Sequence, residues 1–201
     1  MPPLNTDMAA KALLRRELLA ARRLLAAEDI ERAAAVLARR ALELPEIAGA
    51  GTVAAYVSVG SEPGTRALLD ALRARGVRVL LPVLLADNDL DWAPYEGAEG
   101  LRKAGRGLLE PAGERLGPDA VLDAEAVFLP GLAVDARGMR LGRGGGSYDR
   151  VLARLAAAGA HPALVVLLYD DEVAARVPEE PHDHPVDAVV TPVGPRRFGK
   201  S

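Results

Sequence analysis

A glycine-rich loop between an apolar run and a helical pattern limits the folds open to this chain more than any other feature. Residues Ala126 to Leu129 are typical of a buried strand, Gly142 to Gly146 contain four glycines, and a helical pattern runs from Val151 to Ala158. Glycines let backbone N–H groups approach an anion closely, and a helix N-terminus adds partial positive charge. This order of strand, loop and helix predicts a nucleotide phosphate site.

The side chains around the loop suit the same ligand. Arg140 and Arg143 carry forked, permanently charged donors for phosphate, and the carboxylate of Asp149 can hold the magnesium that accompanies a polyphosphate. No lysine follows the glycines as in the G-x-x-x-x-G-K-[ST] loop, and Ser147 stands where the last glycine of G-x-G-x-x-G belongs. A mobile surface turn therefore remains an alternative.

Hydrophobic patterns on both sides of the loop predict alternating strands and helices. Short connections between strand, helix and strand are typical of a parallel sheet. We expect a single three-layer α/β domain over residues 1–201, with a mostly parallel central sheet flanked by helices and the N-terminal helices of residues 7–44 packed on it. The expected strands are Val53 to Val57, Val77 to Pro82, Leu90 to Tyr95, Ala126 to Leu129, Ala163 to Tyr169 and Val186 to Thr191; further helices are expected at Thr65 to Arg75, from Tyr148, and at Asp171 to Arg176.

Composition narrows the classes of function. The formal net charge of −3 gives no general attraction to nucleic acid or anionic membranes, so anion binding must come from local basic groups. The chain has no cysteine, which excludes disulfides and thiolate metal sites. The longest apolar run, Ala163 to Tyr169, is too short to span a bilayer, and the N-terminus shows no signal peptide. We expect a cytoplasmic monomer.

Other candidate residues have ordinary explanations on local evidence. Lys11 and Arg15 share one face of the first helix and can clamp phosphate, but a solvated basic face is the more common outcome of such spacing. Glu62 can accept hydrogen bonds from a ring amine, or it can offset a helix dipole, which the local sequence favours. His182 and Asp183 lie in a polar segment that suits magnesium better than zinc, since too few nitrogen or sulfur ligands are available; a solvated acidic loop is the usual outcome.

Taken together, these motifs resemble the 5-formyltetrahydrofolate cyclo-ligase family, also called 5,10-methenyltetrahydrofolate synthetase. The strongest element runs from Leu129 to Asp135 and from Arg140 to Arg150. It is similar to the family pattern P-G-x-x-[FV]-D…R-L-G-[YR]-G-x-G-Y-Y-D. Supporting elements cover nearly the whole chain: Lys11-x-x-x-Arg15, Glu62 to Thr65, Gly107 to Pro111, His182-Asp183, Val186-Asp187 and Thr191.

The resemblance implies an enzyme that uses ATP, with Mg²⁺, to close 5-formyltetrahydrofolate, polyglutamated or not, into 5,10-methenyltetrahydrofolate, releasing ADP and phosphate. It implies that Lys11, Arg15 and residues Arg140 to Tyr148 (Arg140, Leu141, Gly142, Arg143, Gly144, Gly145, Gly146, Ser147, Tyr148) bind ATP. It places Val57, Glu62 and the stretch Arg143 to Ser147 at the folate, and Asp149 and Asp183 at magnesium. Arg140, Arg143 and Tyr148 would be catalytic.

Two departures from the family pattern keep other functions open. Ser147 replaces the first of two tyrosines before Asp149, and Glu172 stands where relatives commonly carry glutamine. The first departure motivates an alternative, a relative that binds nucleotide or a folate-like ligand with a different reaction or none. A third hypothesis, a dinucleotide-dependent oxidoreductase, rests on the near match to G-x-G-x-x-G, and the displaced glycine spacing counts against it.

Overall fold

The computed structural model describes residues 6–199 and arranges them around a seven-stranded sheet with helices on both faces. The helices are α1 (Thr6–Arg23), α2 (Ala27–Ala41), α3 (Pro45–Ala48), α4 (Arg66–Ala74) and α5 (Ser147–Ala157). The strands are β1 (Thr52–Ala54), β2 (Arg78–Leu84), β3 (Leu90–Pro94), β4 (Leu101–Lys103), β5 (Leu109–Pro111), β6 (Ala126–Leu129), β7 (Ala133–Val134), β8 (Arg140–Leu141), β9 (Ala163–Leu167), β10 (Ala188–Thr191) and β11 (Gly194–Arg197). Short 3₁₀ turns lie at Ala98–Gly100, Gly105–Gly107, Pro118–Asp123 and Asp170–Glu172.

The large sheet has the order β11-β10-β9-β6-β1-β2-β3. Its five inner strands run parallel, and the two outer strands pair antiparallel with their neighbours. The predicted α/β class with a mostly parallel sheet is thereby confirmed. The chain travels from β1 to β2 on one side and later from β6 to β9 on the other, so the strand order reverses between β1 and β6. In open α/β sheets, ligands bind beyond the carboxyl ends of the strands at such a reversal.

The inner strands are buried on both faces, which explains their continuous apolar runs. Successive residues point to opposite faces, so Val53 joins the core under α2 and α4 while Ala54 joins the core under α5. Leu37 and Leu69 fill the first core, and Leu155 helps to fill the second. A smaller apolar cluster lies under α1, where Leu14, Leu18 and Leu19 pack against Leu132, Ala133, Met139, Leu141 and Val177.

Two predicted elements differ from the structure because their residues make other contacts. The strand predicted over Val53 to Val57 ends at Ala54, and Tyr56 and Val57 leave the sheet to line a cavity. The helix predicted at Asp171 to Arg176 is wrong: the segment makes one 3₁₀ turn, Asp170–Glu172. The Glu172 carboxylate accepts the Tyr169 N–H there, and the Ala174 N–H bonds the carbonyl of Val134 instead of continuing a helix.

The C-terminal region contains a strand that the sequence did not predict. The expected final strand, Val186 to Thr191, begins at Ala188, and β11 follows it as an antiparallel edge strand. Pro195 lies within β11, and proline is tolerated in a sheet at such an edge. Pro45 begins the short helix α3, at a position where proline is favoured. Within residues 6–199, no helix combines the length and apolar character needed to cross a membrane.

Candidate active site

A cavity of about 650 Å³ opens at the carboxyl ends of β1 and β6, where the strand order reverses. Its volume is in the range typical of small-molecule sites. All of the residues predicted to form the site line this cavity: Lys11, Arg15, Val57, Glu62, Arg140, Leu141, Gly142, Arg143, Gly144, Gly145, Gly146, Ser147, Tyr148, Asp149 and Asp183. The structure therefore brings together residues that are up to 172 positions apart in the chain.

The glycine-rich loop forms one wall of the cavity and leads directly into α5. Gly144 and Gly146 have φ angles of 92° and 81°, a region that residues with a side chain rarely adopt. Gly146 precedes Ser147, the first residue of α5, so the end of the loop lies at a helix N-terminus. Loop and helix together present the backbone geometry of an anion site.

Arg140 lies at the base of this wall and is largely buried. Its Nη1 donates to the carbonyl of Pro130 at 2.8 Å, and its Nη2 lies 3.5 Å from Oδ1 of Asp149. Burial lowers the pKa of Arg140 below its usual value, although Asp149 opposes the shift. Among the described residues, neither Nε of Arg140 nor the buried hydroxyl of Tyr148 has a hydrogen-bond partner. Both residues line the cavity, and buried polar atoms without a partner are uncommon in a folded protein.

Helix α1 brings two more cations to the cavity. Lys11 is only 4% exposed, and its Nζ lies 2.7 Å from Oε2 of Glu180 and 2.6 Å from Oδ2 of Asp183. Arg15 donates from Nε to the carbonyl of Gly142 at 2.8 Å. The solvated basic face suggested by local spacing is therefore wrong, because these two side chains face the glycine loop and the acidic segment.

The contact between Lys11 and Asp183 shifts the pKa of both groups. Burial lowers the pKa of the Lys11 ammonium, but the hydrogen bonds to Asp183 and Glu180 outweigh it, so the pKa lies above its usual value. For the Asp183 carboxyl, burial raises the pKa, and the hydrogen bond from Lys11 and that from the Glu180 N–H lower it by more. Lysine and aspartate are thus both charged at neutral pH. The expectation of a solvated acidic loop is wrong for Glu180 and Asp183, because both carboxylates pair with Lys11 and are largely shielded from solvent.

Glu62 lies in the turn after β1 and is buried. Its Oε2 accepts the N–H of Val59 at 2.8 Å, and its Oε1 lies 3.3 Å from Nε of Arg143. It precedes Thr65, the N-cap of α4, by three residues. The interpretation as a residue that only offsets a helix dipole is therefore wrong, since the carboxylate closes a turn and faces the cavity.

Part of the cavity wall is apolar, and most of its residues had no role assigned from the sequence. It contains Tyr56, Val59, Pro82, Leu84, Leu90, Leu108 and Leu109. Glu110 joins this wall and accepts the N–H of Leu84 at 3.1 Å. The only indication of this wall in the sequence was the motif Gly107 to Pro111, to which no function was assigned.

Two carboxylates of the cavity can hold a cation. Asp149 lies in the first turn of α5, and Asp183 belongs to a group with Glu180 and His182 whose ligand atoms lie within 4.8 Å of one another. Both aspartates act electrostatically on Arg140. Carboxylate oxygens are the ligands that Mg²⁺ prefers, so the side chains present fit that ion. Glu180 was not singled out from the sequence, because its neighbour in space, Lys11, is distant in the chain.

Comparison with known proteins relates this site to one family. Residues 7–192 match the 5-formyltetrahydrofolate cyclo-ligase family. The 5-formyltetrahydrofolate cyclo-ligase of Mycolicibacterium smegmatis is 45% identical over 148 residues, covering 70% of this chain and 73% of that protein. The enzyme of the same name from Escherichia coli is 31% identical over 173 residues, covering 85% and 94%. The NMR structure of Aquifex aeolicus 5,10-methenyltetrahydrofolate synthetase superposes with a TM-score of 0.79 at 29% identity, covering 95% of each chain.

Proposed function

The chain belongs to the 5-formyltetrahydrofolate cyclo-ligase family, and from that premise we propose that it converts 5-formyltetrahydrofolate to 5,10-methenyltetrahydrofolate with ATP. The observation that carries the proposal is that two chemically different groups of residues line one cavity. The phosphate half of this lining is the glycine loop with Lys11, Arg15 and Arg140, and the folate half is apolar with the carboxylates of Glu62 and Glu110. A triphosphate suits the first group, and a flat ring with polar edges suits the second.

The reaction requires activation of a poor leaving group. The γ-phosphoryl group moves to the formyl oxygen: the new bond joins that oxygen to phosphorus, and the bridging oxygen departs with ADP. N10 then forms a bond with the formyl carbon, the bond from this carbon to the phosphate oxygen breaks, and N10 loses its proton. Such a transfer asks a protein mainly to position the reactants and to neutralise charge.

The residues of the phosphate half suit those two tasks. The loop N–H groups and the guanidinium of Arg140 would hold the phosphates, and Arg15 and Lys11 would reach them from α1. Arg143, half exposed beside Glu62, lines the same cavity and would neutralise the transferred group. Tyr148, whose hydroxyl has no partner in the described part of the chain, would donate to the substrate or to the phosphate.

The folate half would be organised around Glu62. Its carboxylate is fixed by the Val59 N–H, so it is ready to accept hydrogen bonds from the amine and amide of the pterin ring. Val57 and the neighbouring apolar side chains would pack against the ring. Asp149 and Asp183 would hold Mg²⁺, which would neutralise part of the phosphate charge when bound with the nucleotide. We further propose that the protein works as a monomer in the cytoplasm, with sedimentation analysis as the check on its mass.

A turnover assay with MgATP and 5-formyltetrahydrofolate tests the proposal, since the methenyl product absorbs light. We expect product formation that depends on ATP and rises with Mg²⁺, and loss of at least about tenfold in kcat/KM for Arg143→Ala and for Glu62→Ala. Arg150→Ala is the matched control, because Arg150 is equally exposed but does not line the cavity. Full turnover by either cavity variant would contradict the residue roles.

The alternative, a family member that binds nucleotide without this reaction, is favoured by one observation. Ser147 lines the cavity where the family pattern has a tyrosine, so an aromatic contact surface is missing. Under this alternative the folded protein binds ADP but forms no methenyl product, and Ser147→Tyr does not restore turnover. Under the leading proposal the wild-type protein is active, and Ser147→Tyr lowers KM for the folate alone.

A further inference from the structure

A buried charged network lies beneath the cavity without lining it. Arg22, in the last turn of α1, is 2% exposed, and Glu172 is 3% exposed. Nε of Arg22 donates to Oε2 of Glu172 at 2.7 Å, and Nη2 donates to Oε1 at 3.0 Å. The same Nη2 donates to the carbonyl of Gly131 at 2.8 Å. The guanidinium therefore links α1 to the segment that leads from β6 into the glycine loop.

The network reaches a third segment through Tyr169. Oε1 of Glu172 accepts the Tyr169 N–H at 2.9 Å, and the guanidinium of Arg22 lies 5.7 Å from the centre of the Tyr169 ring. The Tyr169 hydroxyl donates to the carbonyl of Ser61 at 2.9 Å, next to Glu62. Three segments that line the cavity are thus tied to one another by side chains that do not touch it.

The position of Arg22 on α1 relates it to Lys11 and Arg15, the two cations that this helix brings to the cavity. Lys11, Arg15 and Arg22 are spaced by four and seven residues, so they lie along one face. At 1.5 Å per residue, Arg22 is about 16 Å along the helix from Lys11 and about 10 Å from Arg15. Arg22 does not line the cavity, so it does not touch a ligand held there by Lys11 and Arg15. It can act on such a ligand through the placement of the helix.

Apart from the hydrogen bonds that Lys11 and Arg15 themselves make, the contacts of α1 fix its rotation less strongly. Leu14, Leu18 and Leu19 pack on a small apolar cluster, and apolar packing has little directional preference. The bidentate ion pair of Arg22 and Glu172 is directional, because its two hydrogen bonds set both the distance and the angle between the guanidinium and the carboxylate. A buried ion pair is also weak evidence for stability, since an apolar pair of similar volume is often as stable.

We infer that the ion pair of Arg22 and Glu172 is a positioning pair that sets the place of α1, and with it Lys11 and Arg15, against the glycine loop. The inference rests on the proposed function, since it takes the nucleotide phosphates as the ligand of Lys11 and Arg15. It assigns the pair to nucleotide affinity rather than to the chemical step or to global stability.

The test replaces the pair by apolar residues, Arg22→Met/Glu172→Leu, and measures the dissociation constant of MgADP by calorimetry. We expect a melting temperature close to that of the wild type and MgADP binding about tenfold or more weaker, since displacement by about 1 Å can cost that much. KM for ATP should rise while KM for the folate changes less. Arg23→Met/Asp171→Asn is the matched control, because these exposed neighbours lie on the same two segments. Wild-type MgADP affinity in a folded apolar variant would overturn the inference.

A second variant covers the case in which the apolar pair does not fold. Arg22→Lys keeps the charge but cannot supply both the fork to Glu172 and the bond to Gly131 with the same geometry. We expect MgADP binding several-fold weaker at an unchanged kcat. Unchanged affinity in this variant would also overturn the inference.

A distance measurement separates failure of this inference from failure of the proposed function. The chain has no cysteine, so spin labels can be placed only where cysteines are introduced. Exposed Leu13 on α1 and exposed Val193 before β11 are suitable sites for Leu13→Cys and Val193→Cys. We expect a broader or shifted distance distribution in Arg22→Met/Glu172→Leu than in the wild type and the control. A wild-type protein without MgADP affinity refutes the proposed function, and an unchanged distribution refutes the positioning role.

Discussion

Replacing Lys11 with methionine should destabilise the protein strongly, because it leaves two carboxylates without their cation. The Lys11 ammonium lies 2.7 Å from Glu180 and 2.6 Å from Asp183, and the two acidic side chains are 20% and 12% exposed. Methionine keeps the length and much of the apolar stem of lysine. The substitution therefore removes the charge and the hydrogen bonds while it preserves most of the packing.

The magnitude follows from those contacts. A hydrogen bond to a charged group contributes roughly 1.5–3 kcal/mol to the free energy of unfolding. Removal of one partner of a buried ion pair lowers that free energy by about 3–5 kcal/mol. Because water can reach Glu180 and Asp183 in part, we expect a loss of about 3 kcal/mol in the free energy of unfolding. For a chain of this size, that loss lowers the melting temperature by about 6–12 °C.

Urea unfolding followed by fluorescence measures this loss, since the single tryptophan, Trp92, is buried. Lys11→Met/Glu180→Gln/Asp183→Asn should recover most of the stability, because amides leave no unpaired charge. Arg16→Met is the control, as Arg16 lies on the exposed side of the same helix. The reasoning fails if Lys11→Met lies within about 0.5 kcal/mol of the wild type, or if the triple variant is no more stable than the single one.

Three further predictions concern the loop, a tyrosine and a salt bridge. Gly146→Ala should lower the free energy of unfolding by about 1–2 kcal/mol, because φ at Gly146 is 81°. Gly145 has open space around it and no positive φ, so Gly145→Ala should lower it by less than about 0.5 kcal/mol. Equal losses in urea unfolding would contradict this. Tyr148→Phe should raise the stability of the free protein by about 1 kcal/mol, since it removes a buried hydroxyl without a partner among the described residues, yet lower turnover; a variant less stable than the wild type would refute the first half. Asp89 has a pKa below its usual 3.8, chiefly through hydrogen bonds from Arg154, so its ionised form stabilises the fold above that pH and the contribution is lost as the pH falls through the lower folded value. Asp89→Asn should therefore lower the free energy of unfolding by about 1–2 kcal/mol at pH 7, and by progressively less as the pH falls below 3.8. A stability difference between variant and wild type that does not depend on pH would rule out this account.

The sequence predicted those elements whose patterns are local. Helix α4 was expected at Thr65 to Arg75, and the structure places it at Arg66–Ala74. The glycine loop was expected between a strand and a helix, and it lies there. These elements were predictable because apolar periodicity and glycine positions act within a few residues.

The wrong predictions share a cause that lies outside the local sequence. The helix expected at Asp171 to Arg176 fails because Glu172 is drawn to Arg22, 150 positions away in the chain. Strand β11 was not predicted because its own residues show no strand pattern. Its extended conformation depends on pairing with β10. Local propensity cannot register such partners.

The residues of the candidate site also fall into two groups, those that the local sequence indicated and those that it did not. Glycines, arginines and Asp149 could be assigned to phosphate chemistry from type and spacing alone. Lys11 could not, because on spacing its face of α1 was expected to be solvated. Its burial follows from contact with Glu180 and Asp183, which only the folded chain provides.

By itself, the sequence determined the class of fold, the place of the glycine-rich loop between a strand and a helix, and the family to which the chain belongs. It could do so because backbone conformation and hydrophobic period depend on neighbouring residues. Tertiary structure alone decided that Lys11 is buried between two carboxylates, that Glu62 faces Arg143, and that an ion pair beneath the cavity joins α1 to the loop. Burial and charge pairing are set by groups distant in the chain, and their energies exist only once the chain has brought those groups together.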